Sequence, residues 1–119
     1  TKRTNTPLHA LTLLNDTTFV EAARVFAQSL ILEHEQDADR FENAFQRALS
    51  RAPTTAEIKL MENIVSVSRS HYQQSPDAAT ALLSVGESKP DDSIQAVELA
   101  AFTNLANIIF NTDEFISKE

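Results

Sequence analysis

The chain has 119 residues, enough for one domain that buries roughly two-thirds of its unfolded surface. One Gly and four Pro among abundant Ala, Leu, Glu and Gln point to a nearly all-helical fold, and the lack of cysteine excludes a disulfide scaffold and thiolate metal sites. A formal charge of −7 argues against nucleic acid as a partner, and no run approaches the ~20 apolar residues of a membrane span.

The first predicted helix opens at Thr6-Pro7, where Thr caps and Pro suits a first turn that needs no amide partner; Leu8, Leu11 and Leu14 follow at helical spacing. Asn15 suits the left-handed conformation that ends a helix, and Asp16 can cap the next. In the second helix Phe19, Ala22, Ala23, Phe26, Ala27 and Leu30 form one stripe, fading in the polar run from Glu33 to Asp37. A third helix carries Phe41, Ala44, Phe45, Ala48 and Leu49 on one face and is expected to end near Arg51-Ala52, since Pro53 forbids continuation.

Thr54-Thr55-Ala56-Glu57 fits a capping box, so a fourth helix is predicted from there towards Gln74, with apolar residues covering more than one stripe. Ser75-Pro76-Asp77 restarts a short fifth helix bearing Ala78, Ala79, Leu82 and Leu83, which Gly86 stops; Glu87 to Asp92 reads as a surface loop. The sixth helix, about Ser93 to Phe110, has no charged residue from Leu99 onward. Ile94, Val97, Ala101, Leu105 and Ile108 make one stripe; Leu99, Phe102, Ala106 and Ile109 make another. A helix apolar on two faces is wrapped by neighbours, which predicts that this one is central. Its remaining side offers Thr103, Asn104, Asn107 and Asn111, amides that either bond within the fold or meet a further part of a larger protein. The ending, Phe110 to Ile116, repeats the pattern of Leu14 to Val20 and predicts a short seventh helix to about Ser117. The expected fold is therefore a compact all-α array of six or seven helices with short connections, forming a single domain over residues 1–119.

These residues also carry a family resemblance. Arg3-Thr4-Asn5-Thr6-Pro7-Leu8, Ala10-Leu11-Thr12-Leu13-Leu14-Asn15-Asp16 and Phe19-Val20-Glu21-Ala22-Ala23 are followed by Arg51-Ala52-Pro53-Thr54, Ala56-Glu57, Leu82-Leu83 and Val85-Gly86-Glu87-Ser88. Glu98-Leu99-Ala100-Ala101, Asn111 and Asp113-Glu114-Phe115 complete the set. In this order they resemble the C-terminal domain of unknown function found in large cytochrome-c-associated proteins of planctomycetes and related bacteria. Departures are mild: His9 stands for an expected Gln, Thr17 for Pro, Phe102 for Trp and Thr112 for Leu. The resemblance implies an exported, periplasmic-type multidomain parent, often with haem attached near its N-terminus. No Cys-x-x-Cys-His occurs here, so any haem would belong to upstream segments and no cofactor is expected on these residues. A start at Thr1, with Met61 the only methionine, reads as a C-terminal fragment or a processed product.

No catalytic or metal-binding set is expected. Glu33, His34, Glu35, Asp37 and Asp39 form the densest ligand-like cluster, but position 38 is Ala where a zinc protease helix needs its second His, and no central Gly supports a calcium loop. The cluster reads as a solvated helix end. His9 and His71 read as isolated surface or hydrogen-bonded residues, and Ser66, Ser68, Ser70 with His71 lack the elbow, orienting acid and oxyanion donors of a nucleophilic site. Arg3 and Asn5 precede the first helix and, with Asn104 and Asn107, are the candidate interdomain contacts. Three functional classes follow. The leading one is a non-catalytic domain that packs against other domains of a larger exported protein. A second is one wall of an active site at a domain junction. The third is an acidic interaction module, because Glu87, Asp91, Asp92, Glu98, Asp113, Glu114 and Glu119 face only Lys89 and Lys118 in the last third.

Overall fold

In the computed structural model, residues 17–112 are described, and they form five helices with no strand. These are α1 (Thr17–Glu33), α2 (Asp37–Leu49), α3 (Thr55–Gln74), α4 (Pro76–Leu83) and α5 (Ala96–Phe110). All-α architecture is as expected, but the count among the described residues is five rather than six or seven. The predicted first and seventh helices lie outside the described residues.

The organising element is α5. Every residue from Leu99 to Phe110 is buried, including Thr103, Asn104 and Asn107, so no side of the helix meets water after its first turn. α1 packs most extensively against it, with α3 and α4 closing other sides. Its start is three residues later than expected from the sequence. Asp91 is the reason: its Oδ1 accepts the Ser93 backbone N–H at 2.8 Å and the Ser93 hydroxyl, and the Ile94 N–H donates to the Asp91 carbonyl at 3.3 Å. That local turn competes with helix, as short polar side chains commonly do.

α1 buries Val20, Ala23, Ala27 and Leu30. This face is rotated relative to the predicted stripe, because Ala22 is exposed and Phe19 and Phe26 are only half-buried. Ala23 and Ala27, both at 0 % exposure, leave room for a close approach to another helix, and helix separation is set by side-chain size at the contact. α2 presents Phe41, Ala44, Phe45, Ala48 and Leu49 inward as predicted. It ends at Leu49 rather than near Ala52, because Ser50 adopts the left-handed conformation (φ 64°) and donates its N–H to the Gln46 carbonyl.

α3 starts as its capping box requires. Thr54 Oγ1 accepts the Glu57 N–H at 3.1 Å, and Glu57 Oε1 accepts the Thr54 N–H at 2.8 Å. Its buried face reduces to Met61, Ile64, Val65, Ser68 and Tyr72, while Val67 is exposed. Pro76 occupies the first turn of α4, which buries Ala79, Leu82 and Leu83 before Gly86 takes φ +97°.

Charged side chains lock the helices at their rims. The Arg69 guanidinium on α3 spans two carboxylates, donating to Asp37 of α2 at 3.0 and 3.1 Å and to Glu98 of α5 at 2.7 and 2.8 Å. Arg40 joins them, 3.3 Å from Asp37 and bonded through Nε to the His34 carbonyl at 2.7 Å. Both guanidiniums lie over the Phe102 ring, at 5.2 and 5.7 Å from its centroid. These hydrogen bonds, foremost those to Glu98, hold the Arg69 charge firmly in place.

Arg51 clamps Glu57 in a two-pronged pair at 2.8 and 2.9 Å. Arg51, assisted by the capping box, draws the Glu57 carboxyl down to about 2. The folded carboxyl thus titrates below its ordinary value of 4.5, so this contribution to stability is complete above that pH and is lost as pH falls towards 2. Glu57→Gln keeps an acceptor for the cap but loses the charge. We expect it to cost about 1 kcal/mol at neutral pH and to flatten the decline in urea-unfolding stability between pH 4.5 and 2. An unchanged acid limb would contradict this assignment.

Candidate functional site

The candidates named from sequence separate cleanly. Arg3, Asn5 and His9 lie outside the described residues. Asn104 and Asn107 sit inside the fold, 5 % and 0 % exposed. Asn104 Nδ2 donates to Ser68 Oγ at 3.0 Å, and Thr103 Oγ1 donates to the Leu99 carbonyl at 2.7 Å. Neither amide atom of Asn107 has a hydrogen-bond partner among the described residues. Asp37 is drawn into the Arg69 and Arg40 pairs, and among the described residues no group of three or more His, Asp or Glu side chains could hold a metal ion. Ser66 and Ser70 are exposed, Ser68 is buried against Asn104, and exposed His71 meets the Tyr72 ring edge-on at 4.8 Å. Burial pushes the Tyr72 hydroxyl above its ordinary range. No helix among the described residues is long and apolar enough to cross a membrane.

Sequence reasoning missed a polar clip built on Arg24. This side chain is 1 % exposed yet lies within the apolar face of α1. Nη2 donates to the Ser88 carbonyl and hydroxyl, both at 2.8 Å, while Nη1 donates to the Lys89 carbonyl at 3.2 Å and Gln28 Oε1 at 3.0 Å. Gln28 Oε1 also accepts the Asp91 N–H at 3.0 Å. Glu21 completes the set, accepting the Ser88 N–H at 2.8 Å and its hydroxyl at 2.6 Å. Those Ser88 bonds hold the Glu21 carboxyl below its usual range. Glu21, Arg24 and Gln28 are spaced i, i+3, i+7 along one helical edge, which was the available signal. The loop they grip includes Gly86, where an added Cβ would sit 2.4 Å from the Glu21 carboxyl carbon at a φ that side chains avoid.

The clip fixes α1 in orientation and thereby exposes its other face. Val25 is 48 % and Leu32 58 % exposed, and Ala22 is exposed beside them. Ala22, Val25, Ser29 and Leu32 recur at intervals of three, four and three, the spacing of a helix–helix seam. Between α1 and its neighbours this face opens into a groove of about 550 Å³, lined by Glu21, Ala22, Val25, Phe26, Ser29, Arg47 and Phe110. Phe26 forms its floor, its ring 5.3 Å from Phe110 and capped by the Arg47 guanidinium at 4.6 Å. The groove is mainly apolar, and the two ionisable side chains on its lining, Glu21 and Arg47, are bonded to Ser88 and Ser29, which suits the docking of a side chain rather than bond chemistry.

An all-helical fold with a clipped loop and an open apolar groove is the class that this geometry defines. Residues 1–65 match the family model described as PSD1, protein of unknown function (DUF1553), which spans more than half of the chain; the protein belongs to that family. No curated protein and no solved structure gives a significant match.

Two substitutions test the clip. Arg24→Met should cost about 2 kcal/mol in urea unfolding, since it leaves the Ser88 and Lys89 carbonyls without their donor, and Gly86→Ala should cost at least about 1 kcal/mol. Both should speed amide exchange of Ser88 and Asp91. Wild-type exchange rates there in Arg24→Met would show that the loop is held by something else.

Proposed function

We propose that the chain is a non-catalytic helical packing domain that docks on, and completes, a larger exported protein, with the outer face of α1 as its docking surface. The carrying observation is the apolar seam of Ala22, Val25 and Leu32 left open on a helix whose opposite face is fully buried. Apolar side chains gathered into one patch mark interaction surfaces, whereas single exposed ones carry no message. The family's description assigns no activity and leaves this reading open. A parent of the cytochrome-c-associated, planctomycete type is part of the proposal and rests on the wording of the opening residues; haem, in that reading, belongs to its upstream segments.

Two observations favour packing over the other classes. Asn104 and Asn107 are buried, so they are available neither as the interdomain contacts expected of them nor as one wall of an active site, and the docking role falls to the open face of α1. An acidic module would draw on free carboxylates, and among the described residues Glu98 is paired with Arg69 and Asp91 is bonded to Ser93, which reduces that set to Glu87 and Asp92.

Val25→Lys combined with Leu32→Lys separates docking from folding. The isolated 119-residue chain should keep its unfolding free energy within about 1 kcal/mol, because both sites are exposed. Placed in the longer protein, the same pair should make limited proteolysis release the domain faster than wild type. Equal release rates would overturn the docking reading.

A further inference from the structure

We infer that the groove on α1 receives an amphipathic helix of the protein's partner domain, and that a carboxylate on that helix pairs with Arg47. This rests on the reading of α1 as the docking surface and names what docks there.

The charge argument is specific to one side chain. Among the described residues the arginines are Arg24, Arg40, Arg47, Arg51 and Arg69. Arg24, Arg40, Arg51 and Arg69 each hold a carboxylate, and Arg47 holds none among the described residues. Its guanidinium carbon lies 4.6 Å from the centre of the Phe26 ring and the group donates to Ser29 Oγ, so it is already oriented at the groove edge with donors to spare. Of the nearby acids, Glu21 is bonded to Ser88, and Glu33 is linked to Arg47 only through the Ser29 hydroxyl, which it accepts at 3.3 Å. In a chain of net charge −7, a pre-oriented cation without a carboxylate beside an apolar groove complements an apolar ridge flanked by an acid.

The shape argument selects a helix. The three–four–three spacing of Ala22, Val25, Ser29 and Leu32 offers small residues at two positions, which lets a second helix approach closely. Size argues against a second copy of this chain. Ten residues of helix span about 15 Å, and a seam of that length falls well short of the ~800 Å² per partner of a stable dimer. A short seam suffices when the partner is tethered, because tethering supplies a high effective concentration.

The test uses three synthetic amphipathic helical peptides with one apolar seam, flanked by Glu, by Gln or by Lys, titrated into the 119-residue chain and followed by NMR shifts of Val25, Leu32 and the Phe26 ring. We expect weak binding in the order Glu, Gln, Lys. Arg47→Gln should lower affinity for the Glu peptide roughly two- to fivefold and leave the Gln peptide unaffected. Raised salt should reproduce that loss. If Glu and Gln peptides bind alike to wild type, the carboxylate assignment fails while docking through α1 stands. If none shifts these residues, the helical occupant is wrong, and the proteolysis comparison decides the docking reading separately. Dimerisation of the wild-type chain that Val25→Lys with Leu32→Lys abolishes would make a second copy the occupant and overturn the inference.

Discussion

Complete burial of one helix sets the terms for everything else in this protein. From Leu99 to Phe110 every residue of α5 is buried, so α1, α3 and α4 must close around it, and their own apolar faces are thereby assigned. Burial on all sides demands that charge be absent, and Glu98, in the first turn, is the last ionisable residue of the helix. It sits where the helix N-terminus favours negative charge and where Arg69 can reach it. The polar residues deeper in are accommodated individually: Thr103 bonds back to its own helix, and Asn104 reaches Ser68 on α3.

The helices that wrap α5 are held in register by arginine rather than by more apolar surface. Arg69 bridges α2, α3 and α5 through two carboxylates, and with Arg40 it covers the buried Phe102 ring, which also stacks on Phe41 at 6.2 Å. Arg24 performs the same task for the loop before α5, gripping Ser88 and Lys89. A planar guanidinium suits these places because its fixed fork satisfies several acceptors at once, which a lysine ammonium cannot match. With α1 clipped in this way, its second apolar edge faces outward, and the groove at Phe26 follows from the same orientation that serves the core.

Much of the architecture was legible in the residues. The α3 capping box, the inward face of α2, the start of α4 at Pro76 and the central place of α5 all follow from local chemistry and periodicity. Boundaries were harder where short polar side chains decide them: Ser50 ends α2 in a left-handed conformation that Ser rarely adopts, and the Asp91–Ser93 turn delays α5. The α1 face was misplaced because the helix is apolar on two sides, and periodicity alone does not say which side faces the core. Arg24 was missed for a related reason. An arginine in an apolar stripe reads as exposed until a loop sixty-four residues away supplies its acceptors. The groove could not be seen at all before the clip fixed the rotation of α1.

The functional account therefore hangs on whether the outward edge of α1 is covered when the domain is in place. Oxidative footprinting of Val25, Phe26 and Leu32 measures this directly, in the isolated chain and in the proposed parent protein. The account predicts strong labelling of Val25 and Leu32 in isolation and clear protection in the proposed parent, with exposed Val67 on α3 labelled equally in both. Equal labelling of Val25 and Leu32 in the two settings would contradict it.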